Sequence, residues 1–156
     1  AEQKDCEKDF SKTLNTINVN YTGAVSILNI ISNDMEQNKN GFIVGVSSVA
    51  GDRGRKANYI YGSSKAAFSA YLSGLRNRLH ESGVKVLTVK PGFVATKMTA
   101  KLDLPTKLTA QPEDVAKDIF TAQQKGKDIL YTKPIWRVIM MIIKIIPEWK
   151  FKGMSI

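Results

Sequence analysis

The sequence is poor in the side chains that build most metal and nucleophile sites. A single cysteine, Cys6, among 156 residues excludes an internal disulfide and any cysteine-based zinc site. A single histidine, His80, excludes a histidine cluster around a metal and argues against a Ser-His-Asp mechanism, so no metal site is expected. Of the eleven glycines, no two are separated by one residue, so the Gly-x-Gly turn of a phosphate-binding loop is missing. No run of five like charges occurs, and the basic residues are not interleaved with an aromatic stacking platform. No nucleic-acid partner is expected on either ground. The stretch Ala1-Glu-Gln-Lys-Asp is acidic and lacks an apolar core, so no secretory leader is expected. With one unpaired cysteine, the cytoplasm is the expected compartment.

What is present is enough for a packed core. Apolar residues make up 43% and charged residues 24%, and the length suits one domain of ordinary size. The net charge of +9 suits an anionic partner, and it is uneven: residues 125–156 hold seven Lys/Arg against two acids. Within that region, ten of the twelve residues from Ile135 to Ile146 are apolar. As a helix they span about 18 Å, short of the ~20 residues needed to cross a bilayer. Arg137 and Lys144 fall on nearly one face. Two readings stand side by side: a helix in the membrane interface, with Lys133, Lys150 and Lys152 near headgroups, or a helix buried against the domain or a partner subunit.

Periodicity orders the chain. Phe10, Leu14, Ile17, Tyr21, Ala24, Leu28 and Ile31 recur at helical spacing, predicting a helix over 7–37 that ends at Asn40-Gly41. The apolar run Phe42–Val46 reads as a buried strand. A Gly-rich loop over 47–57 precedes a helix over 59–81. A second strand, 84–89, ends at Pro91-Gly92, and 92–110 reads as a long loop. Pro112-Glu113-Asp114 starts a helix to about Lys125, with proline in the first turn and acids at the positive end of the dipole. A third strand, 128–131, and the helix 135–146 follow. Apolar strands alternating with helices imply an α/β fold: a parallel sheet with helices on both faces.

One spacing carries chemistry. Tyr61 and Lys65 are i and i+4 on a helix and share a face. A free tyrosine titrates near 10; a neighbouring cation stabilises the phenolate and turns the phenol into a usable general acid/base. Ser48 lies just past the end of the first strand and Pro91-Gly92 just past the second, the edge where open α/β sheets place their sites. Thr96 follows shortly after, and Asn20 lies in the first helix.

These stretches together resemble one family. Asn18-Val-Asn20-Tyr-Thr-Gly23, Val46-Ser-Ser48-Val-Ala-Gly51, Tyr61-Gly-Ser-Ser-Lys65 and Lys90-Pro-Gly-Phe-Val-Ala-Thr96 are similar, in order and spacing, to the C-terminal part of a short-chain dehydrogenase/reductase. The resemblance implies the C-terminal half of a Rossmann-like doubly wound parallel sheet, three strands with flanking helices. It implies NAD or NADP as cofactor without distinguishing them, and a small-molecule or lipid-linked carbonyl or secondary alcohol as substrate. Tyr61 would exchange the proton, Lys65 would lower the pKa of Tyr61 and hold the nicotinamide ribose, and Ser48 would polarise the substrate oxygen. Asn20 would position a proton-relaying water with Lys65. Pro91, Gly92, Val94 and Thr96 would line the nicotinamide and its phosphate. A homodimer or homotetramer is implied as well.

The stretch Gly51-Asp-Arg53-Gly-Arg55-Lys-Ala-Asn58-Tyr-Ile-Tyr61, with the basic apolar C-terminal helix, is more particularly similar to reductases of polyprenyl-phosphoryl 2-keto sugars, the decaprenylphosphoryl-2-keto-ribose step. That similarity implies Arg53, Arg55 and Lys56 near the substrate mouth, suited to a phosphate, and a site of action at the inner face of the membrane, touched through 135–146. The alternative for these cations is a solvated basic loop. The family's Gly-rich loop is missing, and with it the grip on pyrophosphate. The expectation is therefore a catalytic part, 1–132, followed by a helix and tail, 133–156. The chain is expected to be a fragment, inactive alone and either prone to aggregate along a cut sheet edge or held in a dimer that covers the cut. A non-catalytic basic binding module that keeps the fold is the alternative.

Overall fold

The computed structural model describes residues 2–97, 99–100 and 102–154; Ala1, Ser155 and Ile156, at the ends of the two expected units, lie outside the described residues. A three-stranded parallel sheet in the order β1-β2-β5 forms the centre, from β1 (Phe42–Val46), β2 (Lys85–Pro91) and β5 (Ile129–Thr132). Val44 pairs with Leu87, and Val89 with Leu130. The α/β architecture expected from the alternation is the one observed.

Helices cover the sheet according to the alternation of its strands. α4 (Tyr59–Leu79) packs on one face, where Phe68, Leu72, Leu75 and Leu79 meet Ile43, Val84 and Val86. α5 (Pro112–Gln124) packs on the other, where Ala122 and Ile119 meet Leu87, Val89 and Leu130. The α4 face is closed tightly at Gly45: a Cβ there would lie 2.2 Å from a methyl of the fully buried Leu72. Gly45→Ala is expected to cost about 1–3 kcal/mol through this overpacking, read as a lower urea midpoint at unchanged slope.

Two expectations need correction. The helix over 7–37 is three segments, α1 (Gln3–Lys8), α2 (Phe10–Ile17) and α3 (Gly23–Asn38), with a π turn over Asn18–Thr22. Asp9 breaks the first pair: it leaves helical geometry, and its carboxylate accepts the Ser11 N–H at 3.0 Å as an N-cap. The loop over 92–110 contains a two-stranded parallel ladder, β3 (Phe93–Val94) on β4 (Thr109–Ala110), too short to leave an alternation in the sequence. The C-terminal segment comprises α6 (Ile135–Ile145) and α7 (Glu148–Phe151). α6 buries Trp136, Met140 and Ile143 against Val49, Phe93 and Tyr131. No helix among the described residues is long and apolar enough to cross a membrane.

Candidate active site

Because the strands are parallel, β1, β2 and β5 all end at one edge of the sheet, and the candidate residues gather there. Ser47, first past β1, donates to the Lys65 carbonyl at 2.9 Å and shares a 2.7 Å hydrogen bond with Ser69. It pins α4 to the strand end. Ser48 is extended and nearly buried, and its Oγ accepts the Ala50 N–H at 3.1 Å, capping a 3-10 turn over Val49–Gly51. That turn lies backbone to backbone on α4. A Cβ at Gly51 would sit 2.8 Å from the Lys65 carbonyl carbon and the Ala66 nitrogen, and one at Gly62 would sit 2.8 Å from the Ala50 oxygen. Two glycines thus bring the Ser48 turn against the helix face that carries Tyr61 and Lys65.

The electrostatics differ from the sequence expectation. Burial pushes the Tyr61 phenol above its ordinary value, and the hydrogen bond from the Ser48 side acts in the opposite direction. Lys65 is not among the causes. Its Nζ lies 5.9 Å from the Tyr61 ring centroid and donates to the Val46 carbonyl at 3.0 Å, and burial lowers its own pKa. Desolvation is the largest influence on the phenol and raises it.

The remaining candidates are distributed as follows. Asn20 lies in the π turn, which packs against α4; π turns of this kind recur at functional sites. Pro91 closes β2 opposite Thr132. Val94 belongs to β3, and the exposed Thr96 donates its N–H to Thr99 Oγ1 at 3.0 Å. An open groove of about 680 Å³ runs between Thr96, Thr99, Leu102, Leu104 and Thr106. Gly92 is covered on its Cβ side by Trp136, whose indole would lie 2.0 Å from an added Cβ and whose Nε1 donates to the Leu108 carbonyl at 3.1 Å.

Arg53 is turned away from the role expected of it. Its Nη1 donates to the carbonyls of Ile143 at 2.7 Å and Ile146 at 2.5 Å, and its Nη2 pairs with Glu148 at 2.8 Å. The guanidinium also stacks 3.8 Å from the Phe151 ring centroid. It therefore caps the C-terminus of α6, where the dipole favours a cation, and is engaged there instead of facing a substrate mouth. Arg55 is half-buried, and its Nε has no hydrogen-bond partner among the described residues.

Sequence reasoning missed a second cluster. Asp52, its side chain 3% exposed, pairs through Oδ1 with Lys90 and accepts the Tyr131 hydroxyl through Oδ2 at 2.7 Å. Lys90 lies 5.6 Å from the Tyr131 ring centroid. Burial and the Asp52 carboxylate push the Tyr131 phenol far upward. One carboxylate thereby joins the turn after Ser48, the strand end before Pro91-Gly92, and β5.

Comparison with known proteins places this geometry in context. The short chain dehydrogenase family profile matches residues 2–106. An uncharacterized oxidoreductase of Mycobacterium tuberculosis is 33% identical over 154 residues, covering 99% of this chain and 61% of that protein. One of Streptomyces coelicolor is 33% identical over 155 residues, covering 97% and 61%. The chain thus spans about three fifths of the length of these curated relatives. Among solved structures, a short chain dehydrogenase from Burkholderia cenocepacia in complex with NADP superposes with a TM-score of 0.79 at 21% identity, over 93% of this chain and 60% of that one. A short chain dehydrogenase/reductase from Burkholderia phymatum in complex with NAD gives 0.66 at 20% identity, over 80% and 54%. At these identities the structural likeness establishes the fold.

Proposed function

The chain belongs to the short chain dehydrogenase family, and on that premise we propose that it is the catalytic part of an NAD- or NADP-dependent oxidoreductase acting on a carbonyl or secondary alcohol. The observation that carries the reading is the juxtaposition of Ser48, Tyr61 and Lys65 at the carboxyl edge of the sheet. The donor set fits the nicotinamide end of such a cofactor. Lys65 has three N–H donors, of which the Val46 carbonyl takes one, leaving donors for ribose hydroxyls. Pro91, Gly92, Val94 and Thr96 would line the same end. When bound, the nicotinamide supplies or accepts a hydride. Tyr61, held protonated, gives a proton to the developing alkoxide in reduction and takes it back in oxidation. Ser48 donates a hydrogen bond to that oxygen. Asn20, on the π turn against α4, orients water toward Lys65.

The pyrophosphate end finds no Gly-rich turn in this sequence. The bare side of β1 supports the reading that the rest of the fold lies in a longer protein. β1 is an edge strand, and Val44 and Val46, on the face away from α4, are exposed. A parallel strand in that position ordinarily has both faces covered. The isolated chain is then inactive, and the working form a homodimer or homotetramer in the cytoplasm.

For the substrate, the reading is a polyprenyl-phosphoryl 2-keto sugar met at the inner face of the membrane. With Arg53 engaged on α6, its anion-binding part rests on the half-buried Arg55.

Titration of the intact gene product with NADH and NADPH, followed by nicotinamide fluorescence and thermal shift, tests the function. Saturable binding is expected, weakened about tenfold in Lys65→Met by loss of hydrogen bonds. Absence of binding to both nucleotides would favour the non-catalytic basic module.

A further inference from the structure

The C-terminal helix has two apolar faces, and the domain uses one of them. Trp136, Met140 and Ile143 are buried. On the other side Ile135, Val138, Met141, Ile142 and Ile145 are exposed, from 46% for Ile135 to 74% for Ile145. At 3.6 residues per turn these five fall within an arc of about 120°. Past Pro147, Trp149 is exposed as well, at 74%. Arg137 and Lys144 are exposed along one border of the arc, and Lys150 and Lys152 are exposed beyond its end. The acid of this segment, Glu148, pairs with Arg53.

We propose that this face docks on a bilayer surface bearing anionic headgroups, with α6 lying in the plane of the interface. A contiguous apolar arc bordered by cations is the pattern that buries side chains among acyl chains while its charges stay at headgroup level. An exposed tryptophan shortly after the helix, Trp149, suits the same boundary. The eleven residues of α6 are too few to span. Charge argues against an antiparallel second copy as the occupant, because that two-fold contact through this arc brings its border of like charges together. Arg53 gives the docking a consequence. It joins the C-terminus of α6 to the turn that follows Ser48, so a helix seated on the membrane holds the site beside it. This deepens the reading of a lipid-linked substrate, and it names the surface where that substrate is met.

The test is flotation of the intact protein with vesicles of phosphatidylcholine alone or of phosphatidylcholine with phosphatidylserine. The protein is expected to float with the anionic vesicles and to be released by salt. Met141→Glu/Ile145→Glu is expected to lose at least about tenfold in partitioning. Arg137→Gln/Lys144→Gln should lose about fivefold per cation on anionic vesicles only. All four positions are exposed, so circular dichroism and thermal midpoint should be unchanged. Failure to float, or flotation indifferent to the glutamates, overturns the proposal. So does a sedimentation pattern in which the glutamates dissolve an oligomer that vesicles ignore. Nucleotide binding measured on the same samples separates the two ideas. Docking that fails while NADPH binds leaves the dehydrogenase reading intact, and docking without nucleotide binding sinks that reading alone.

Discussion

With Tyr61 as the proposed proton donor, Tyr61→Phe in the intact protein is expected to lower carbonyl reduction about 10²–10⁴-fold, the range that a positioned proton donor contributes, with NAD(P)H binding retained within about twofold of the parent. The substitution removes one hydroxyl from a ring held against the Ser48 turn and leaves the helix untouched. Lys65 still donates to the Val46 carbonyl, and the strand ends keep their positions. Stopped-flow reduction and nicotinamide fluorescence on one preparation check it. If kcat falls less than about threefold, another group delivers the proton.

The same residue sets the pH dependence. Burial holds the phenol above its ordinary pKa of about 10, so the acid form is fully populated at neutral pH. Reduction is expected to be flat through pH 6–9 as far as this group is concerned. Oxidation needs the phenolate and should climb about tenfold per pH unit across that range. A profile that levels off near pH 7 in the oxidative direction would show that a bound group, or a shifted Lys65, lowers the phenol in the working complex.

The sequence made the proposed reacting groups legible and left their supports hidden, for a physical reason. Tyr61 and Lys65 are one helical turn apart, and Ser48 and Pro91 end apolar strands; spacing of this kind is set by 3.6 residues per turn and by strand termination. Asp52, Lys90 and Tyr131 meet across 79 residues of chain, and nothing periodic links them. Arg53 finds its carbonyls 90 and 93 residues away, a contact that the resemblance implying its place at the substrate mouth does not encode. The π turn at Asn18–Thr22 inserts one residue's worth of rotation into a helix and hardly disturbs its apolar period. Local spacing also suggested that Lys65 would lower the Tyr61 pKa. Here Nζ donates to the Val46 carbonyl and lies 5.9 Å from the ring centroid, a direction that spacing does not encode.

The support with the largest expected effect is Asp52. Its side chain is 3% exposed and that of Lys90 13%. Replacing Asp52 with alanine leaves a nearly buried ammonium without its counter-charge and the Tyr131 hydroxyl without its acceptor. Breaking a buried pair in this way costs about 3–5 kcal/mol, because the stranded charge keeps its desolvation penalty while losing its attraction. The thermal midpoint should fall by on the order of 10 °C. Tyr131→Phe removes one charge-assisted hydrogen bond and should cost about 1.5–3 kcal/mol. Asp52→Ala combined with Lys90→Met should recover a large part of the loss, since the double variant no longer buries an isolated charge. Urea unfolding of the two single variants and the double variant closes the cycle. A coupling energy near zero would mean that Lys90 is solvated in solution. A strong coupling means that one carboxylate holds the Ser48 turn and the Pro91-Gly92 strand end in register, and that the Asp52→Ala site should lose nucleotide affinity along with stability.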